Sequence, residues 1–200
     1  MAAELATVVE RLKQDATYRS LFHKVFGSPP EVRWLSYALA SYVRTLLSGN
    51  SPYDRYEAGE KTALTSLQQE GLRLFRGKAH CASCHSGSNY TDEEFHNTGV
   101  AWKGRDPDQP PGDPGRLVVT GRPQDQGKFK TPTLRNIEQT APYMHDGSFR
   151  SLEEVLNFYD GGGNPNPRLD PDIRPLHLTA EEKNALCAFL KALTGSGLGK

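Results

Sequence analysis

Apolar residues recur at helical spacing in several separate stretches of this chain, and the intervals between them are polar and rich in glycine and proline. In "SPPEVRWLSYALASYVRTLLSG", Val32, Leu35, Leu39, Tyr42, Val43 and Leu46 fall on one side, and Ser28 before two prolines suits a helix start. The pattern predicts a helix over about 30–48. Ahead of it, "ELATVVERLKQDATYRSLFHKVFG" also reads as helical, with Leu5, Val8, Val9 and Leu12 at the same spacing. Three later starts pair a Ser or Thr with a Glu or Gln three residues on: Thr65/Gln68, Ser151/Glu154 and Thr179/Glu182. After the first, Leu67, Gly71, Leu74 and Phe75 share a face, and after the last, Leu186, Phe189, Leu190 and Leu193 do so. Gly71 permits a close crossing against the Ala188/Phe189 region. The stretch "KGRDPDQPPGDPGRLVVTGRPQDQGK" has a turn residue at almost every step, which predicts a loop with a short extended piece at Leu117 to Thr120. No alternating run demands a sheet. The expectation is an all-α chain, with a helical arm over 1–50 packing on a main body over 51–200.

Composition narrows the function classes. Lys plus Arg equals Asp plus Glu, 24 each, so no net field draws the chain toward nucleic acid or an anionic membrane. No apolar run is long enough to span a bilayer, and "MAAELATVVERLKQD" has no apolar segment of signal-peptide length. Three cysteines are too few for a disulfide framework. With 19 glycines and 14 prolines, long ordered loops should run between the helices, as they do where loops wrap a cofactor.

The densest chemistry lies in "KAHCASCHSGSNY", residues 78–90, where Cys81, Cys84 and His85 form a C-x-x-C-H run. Two thiols three positions apart can each form a thioether to a porphyrin vinyl group, and the adjacent imidazole then reaches the iron from one face. A structural zinc site takes four ligands, and Cys187 is the only other thiol. A thioredoxin-like pair belongs in a βαβ setting that this pattern lacks. The run therefore reads as covalent attachment of one haem c, with His85 as proximal iron ligand. On the far side a low-spin haem c takes a methionine sulfur or a second histidine. Met144, in "TAPYMHDGSF", is the only methionine besides the first residue, and a polar loop is an unexpected place for a core methionine. It is the candidate distal ligand. The bland alternative is a half-buried Met beside Tyr143, and His145 is the rival ligand. His96, in "EEFHNTGV", is placed at the haem edge or on a propionate. His23, His80 and His177 read as surface or core residues, Cys187 as a small buried or boundary residue, and Trp34 and Trp102 as packing residues.

Taken together, "SPYDRY", "GLRLFRGKAHCASCHSG", "FHNTGV", "GKFKTPTLRNIEQTAPYMHDGSF" and "LTAEEKNALCAFLKAL" closely resemble the C-terminal haem domain of bacterial dihaem cytochrome c peroxidases and their MauG relatives, from about Tyr18 onward. C-x-x-C-H alone is common to all c-type cytochromes; "TPTLRN" followed by "APYMHDG" is much more specific. The resemblance implies a cytochrome c-like fold, with Cys81 and Cys84 holding the haem, His85 proximal and Met144 distal. It also implies a higher-potential haem that takes electrons from a small redox protein, a cytochrome c or a cupredoxin, and passes them to a peroxidatic haem in an N-terminal domain. MauG-type enzymes have a tyrosine where this chain has Met144, which points to the peroxidase branch. A periplasmic location and bound calcium are implied too, the calcium without assignable ligands.

The family carries two or more C-x-x-C-H runs and this chain has one. The expectation is therefore a partner, either a missing N-terminal haem domain or a second subunit. The short arm and the missing signal peptide favour a fragment or an engineered start over a naturally single-haem relative. Electron transfer is the favoured role. The alternative, a single-haem peroxidase or oxidase in its own right, needs an open distal site and an acid–base group, for which His145, Asp146 or Glu94 are at hand. A haem-based sensor, or a structural haem domain, has no supporting motif.

Overall fold

Asp15 divides the first apolar stretch. Its carboxylate accepts hydrogen bonds from the backbone N–H groups of Thr17 (2.8 Å) and Tyr18 (3.1 Å), and its own backbone is extended, so it caps a new helix. The run expected as one helical stretch is therefore two helices, α1 (Leu5–Gln14) and α2 (Ala16–Phe26). Arg19 closes the corner by donating to the carbonyls of Lys13 and Gln14, which end α1. α3 covers Val32–Thr45, shorter than expected, with Glu31 and not Ser28 at its cap position. The two prolines stay outside it, because the residue before a proline is driven out of the helical region. Phe22, Phe26, Trp34 and Tyr37 form a ladder of rings, with successive centroids 5.5, 5.1 and 5.7 Å apart. Much of the α3 stripe is uncovered, with Val32, Leu39, Tyr42, Val43 and Leu46 exposed.

This computed structural model describes residues 4–196, and the chain divides into two compact units, residues 1–47 and 48–200. The second unit carries α4 (Pro52–Glu57), α5 (Ser66–Arg76), α6 (Leu117–Thr120), α7 (Leu152–Asp160) and α8 (Ala180–Lys191). A minimal antiparallel ribbon, β1 (Phe95–His96) with β2 (Phe129–Lys130), pairs Phe95 with Lys130 and His96 with Phe129. Leu117–Thr120 is a single helical turn and not the extended piece expected. The Arg116 carbonyl accepts from the N–H groups of Val119 and Thr120, and Gly121 closes the turn at φ 66°.

The core forms where α5 crosses α8. A Cβ on Gly71 would collide with the Ala185 carbonyl and lie 2.7 Å from the Phe189 Cβ, so the two helices touch at the backbone there. Around this point Leu72, Leu74 and Phe75 meet Leu186, Phe189, Leu190 and Leu193, all buried, while Leu67 is exposed. Burial of each such side chain contributes roughly 1.5–3 kcal/mol. The capping boxes at Thr65/Gln68 and Thr179/Glu182 are complete. At Ser151 only the hydroxyl half forms, because Glu154 accepts instead from the Arg150 N–H at 2.6 Å. A third complete box, Ser51 with Asp54, starts α4, which docks on the end of α8 through the Tyr53 N–H and the Ala192 carbonyl.

Candidate haem site

Residues 80–92 fold into a sequence of tight turns whose hydrogen bonds aim the side chains. His80 takes a left-handed conformation (φ 53°) ahead of a 3-10 turn at Cys81–Ser83. The His85 N–H then reaches the Cys81 carbonyl at 2.9 Å, and the Asp92 N–H returns to the Cys84 carbonyl at 2.8 Å. The His85 Nδ1 lies 2.9 Å from the Tyr90 carbonyl. A carbonyl only accepts, so Nδ1 carries the hydrogen and Nε2 keeps its lone pair free. Burial holds the His85 pKa below the usual histidine value, which favours this neutral, ligand-competent ring.

The loop is braced by the segment 131–135. Thr91 donates to the Thr131 carbonyl at 2.7 Å, Thr133 to the Asn89 carbonyl and Arg135 Nε to the Ser88 carbonyl at 2.8 Å. The Arg135 guanidinium also forks onto Asp54 of α4, at 3.0 and 3.2 Å. Burial alone would raise the Asp54 carboxyl; Arg135 and the Ser51 cap reverse that and hold it below the ordinary carboxylate range.

Cys81, Cys84 and His85 share the wall of a cavity of about 540 Å³ with Met144, and apolar side chains such as Leu134, Ile137, Val155 and Leu190 line much of the remainder. Met144 is half-buried and its backbone is left-handed, at φ 69°. It occupies the corner of a tight reversal in which the Tyr143 N–H reaches the Phe149 carbonyl at 2.7 Å. His145 also borders the cavity, but its exposed ring stacks on Phe129 with centroids 3.5 Å apart. Asp146 and Glu94 are not on the cavity wall.

The di-haem cytochrome c peroxidase family model matches residues 1–62, and the cytochrome c model matches residues 68–194. Relatives include the methylamine utilization protein MauG of Methylorubrum extorquens, 40% identical over 195 residues that make up 96% of this chain and 54% of that protein. The cytochrome-c peroxidase IdrP1 of a Pseudomonas species is 39% identical over 93% of this chain and 56% of its own length. The chain belongs to the dihaem cytochrome c peroxidase/MauG family. It spans about half the length of these relatives. Among solved structures, a MauG-like protein associated with microbial copper homeostasis superposes with a TM-score of 0.78 at 35% identity, covering 98% of this chain and 63% of that one.

As a member of this family the chain carries a cytochrome c domain, whose cofactor is haem c, and the cavity suits that group. Both wall cysteines are free of disulfides, and burial pushes the Cys81 thiol up to about 12, so it is a neutral thiol and a poor metal-binding thiolate. The volume is that of a cofactor pocket. Among the described residues one other cluster of metal-type donors forms, Cys84, Asp92 and His96, with ligand atoms within 4.8 Å of one another. It offers three donors where a structural zinc takes four, and both nitrogens of His96 already face carboxylates.

Other wall residues were not read from the sequence. Tyr159 of α7 stands beside Cys81 and Cys84, and burial pushes its phenol up to about 12, so it stays protonated. A tyrosine on an amphipathic helix carries no signal of this position. Asp170, in a proline-rich loop, reaches His96. Arg174 donates to His80 Nε2 at 2.9 Å, which brings His80 to the wall as well. Cys187 is buried as expected and donates to Glu153. Trp102 is buried too, with its Nε1–H on the Gln109 carbonyl.

Proposed function

We propose that residues 48–200 hold one covalent haem c, attached through Cys81 and Cys84 and ligated by His85 and Met144, and that this unit transfers electrons within a periplasmic peroxide-reducing system. The observation that carries the reading is the cavity wall, which Cys81, Cys84, His85 and Met144 share. A thioether sulfur thus shares one cavity with an imidazole whose Nδ1 is tied to a carbonyl.

Haem c supplies reversible one-electron iron chemistry. The chain's own residues shape that chemistry. The Tyr90 carbonyl orients His85 and strengthens it as a donor. The apolar part of the wall would keep water from the group, and a Met144 sulfur bound to the iron would leave no position for peroxide and favour a higher potential. Asp146 and Glu94 stay off the wall, and His145, the acid–base candidate that does border the cavity, has its exposed ring stacked on Phe129. Peroxide chemistry then belongs to a second haem domain, in the same polypeptide or another subunit, with a small redox protein as donor. The uncovered Leu39, Tyr42 and Val43 of α3, with Leu46 just past its end, support such a further contact, in which the segment over residues 1–50 serves as a helical arm.

The test is the optical spectrum of the ferric protein before and after peroxide. A low-spin spectrum with a methionine-to-iron charge-transfer band, unchanged by peroxide, is expected. Met144→Ala should abolish that band, open the iron and lower the potential. An unchanged potential would remove Met144 as ligand, and a rapid response of the unmodified protein to peroxide would make the chain a peroxidase in its own right.

A further inference from the structure

Both ring nitrogens of His96 face carboxylates: Nε2 lies 2.9 Å from Asp92 and Nδ1 lies 2.7 Å from Asp170. Ionised carboxylates only accept, so satisfying both requires a hydrogen on each nitrogen, which is the imidazolium. The arrangement is built, and not a chance surface contact. Asn97, fully buried, accepts the Asp170 N–H on its carbonyl at 2.9 Å and donates its side chain to Asn166, while the Asp92 N–H is tied to the Cys84 carbonyl. The three side chains are 19–23% exposed, so water screens their charges little. His96 and Asp170 both line the cavity, and the Cys84 sulfur is within 4.8 Å of the clamp.

We propose that His96, held between Asp92 and Asp170, couples reduction of the haem to the binding of one proton. The proposal rests on the haem reading above. His96 binds one proton from solvent as one electron, delivered by a one-electron redox protein, takes the iron from ferric to ferrous. The two added charges cancel within the cavity. Burial opposes a charged ring, but the hydrogen bonds to Asp170 and Asp92 outweigh it, so the His96 pKa lies above 6.5. Positive charge on the ferric iron lowers that affinity, and reduction restores it. The other charged or titratable groups around His96 are Cys84 and His85 from the haem loop, Asp172 from the Asp170 loop, and Lys130 of β2, which is paired with Glu93. His80 with Arg174, and His145, lie further along the same wall.

The experiment is the midpoint potential of the haem-loaded protein against pH, by spectroelectrochemistry. The native protein should show a level potential at the acid end and a fall once pH passes the ferric-state pKa of His96, approaching a tenfold change in the reduction equilibrium per pH unit, about 59 mV for one electron. His96→Gln, which keeps a hydrogen-bonding side chain, should level the profile in that window. A His96→Gln protein that kept the native slope would overturn the proposal and put the proton on a propionate or another histidine. Asp170→Asn keeps the ring but removes one carboxylate, so the fall should move to lower pH; an unmoved window would equally overturn it, even if His96→Gln takes up no haem. Failure of the haem reading is distinguishable, because the native protein would then show no covalent haem spectrum before any potential was measured.

Discussion

Gly71 sets the distance between α5 and α8, since the Ala185 carbonyl and the Phe189 Cβ occupy the space that a side chain would need. Neither obstacle is the end of a flexible chain, so an added methyl must push helix against helix. Gly71→Ala is expected to lower stability by about 1–3 kcal/mol from overpacking, even though alanine improves helix propensity by nearly 1 kcal/mol. A lower urea midpoint at unchanged slope would show this, and a midpoint that held or rose would mean that the crossing yields freely. A single carbonyl, that of Tyr90, likewise selects the tautomer of His85.

Within residues 48–200, α4, α5 and α7 all meet α8 or its C-terminal end. Its N-terminus is closed by Thr179 and Glu182, with Thr179 Oγ1 accepting the Glu182 N–H at 3.2 Å and Glu182 accepting the Thr179 N–H at 2.8 Å. Glu182 also receives Lys78 at 2.6 Å, so the cap is joined to the segment that leads into Cys81. Thr179→Ala should cost about 1 kcal/mol in chemical denaturation, the ordinary value of a lost N-cap oxygen. No measurable loss would mean that water or Glu182 alone satisfies the helix end. α3 is the contrasting element. Its apolar stripe is real, but most of it meets solvent.

For the molecule as a whole, net charge is zero and pH acts through particular groups. Asp54, Asp92 and Asp160 all ionise below the ordinary carboxylate range. Burial works against ionisation in each case. Hydrogen bonds overcome it, from Arg135 to Asp54, from the Glu94 N–H and His96 to Asp92, and from the Leu178 N–H and Lys183 to Asp160. Their contribution is complete above the unfolded value of about 3.9 and is lost as pH falls through the lower folded values. His96 has the opposite sign: its contribution is full below 6.5 and is lost as pH rises through its raised folded value. The urea midpoint should therefore fall steeply below about pH 4. A midpoint that rose on such acidification would contradict the assigned pairs.

Local relations were legible in the sequence. The C-x-x-C-H run, the Thr65 and Thr179 caps and the buried faces of α5 and α8 each depend on residues within a turn or two of one another, where helix geometry alone decides what meets what. The Asp15 break and the Ser51/Asp54 box are local as well, but their aspartates stand outside the Ser/Thr-to-Glu/Gln pattern of a capping box. The α6 turn depends on Gly121, one residue past the extended piece expected. Only the tertiary structure could decide the rest. Arg135 and Asp54 are 81 positions apart, and His96 and Asp170 are 74 apart. Loops whose paths no local pattern encodes bring these partners together, along with Tyr159 at the cavity wall. Whether an apolar stripe is covered is likewise a property of what packs on it, so the sequence could mark the stripe on α3 and only the fold could show it bare.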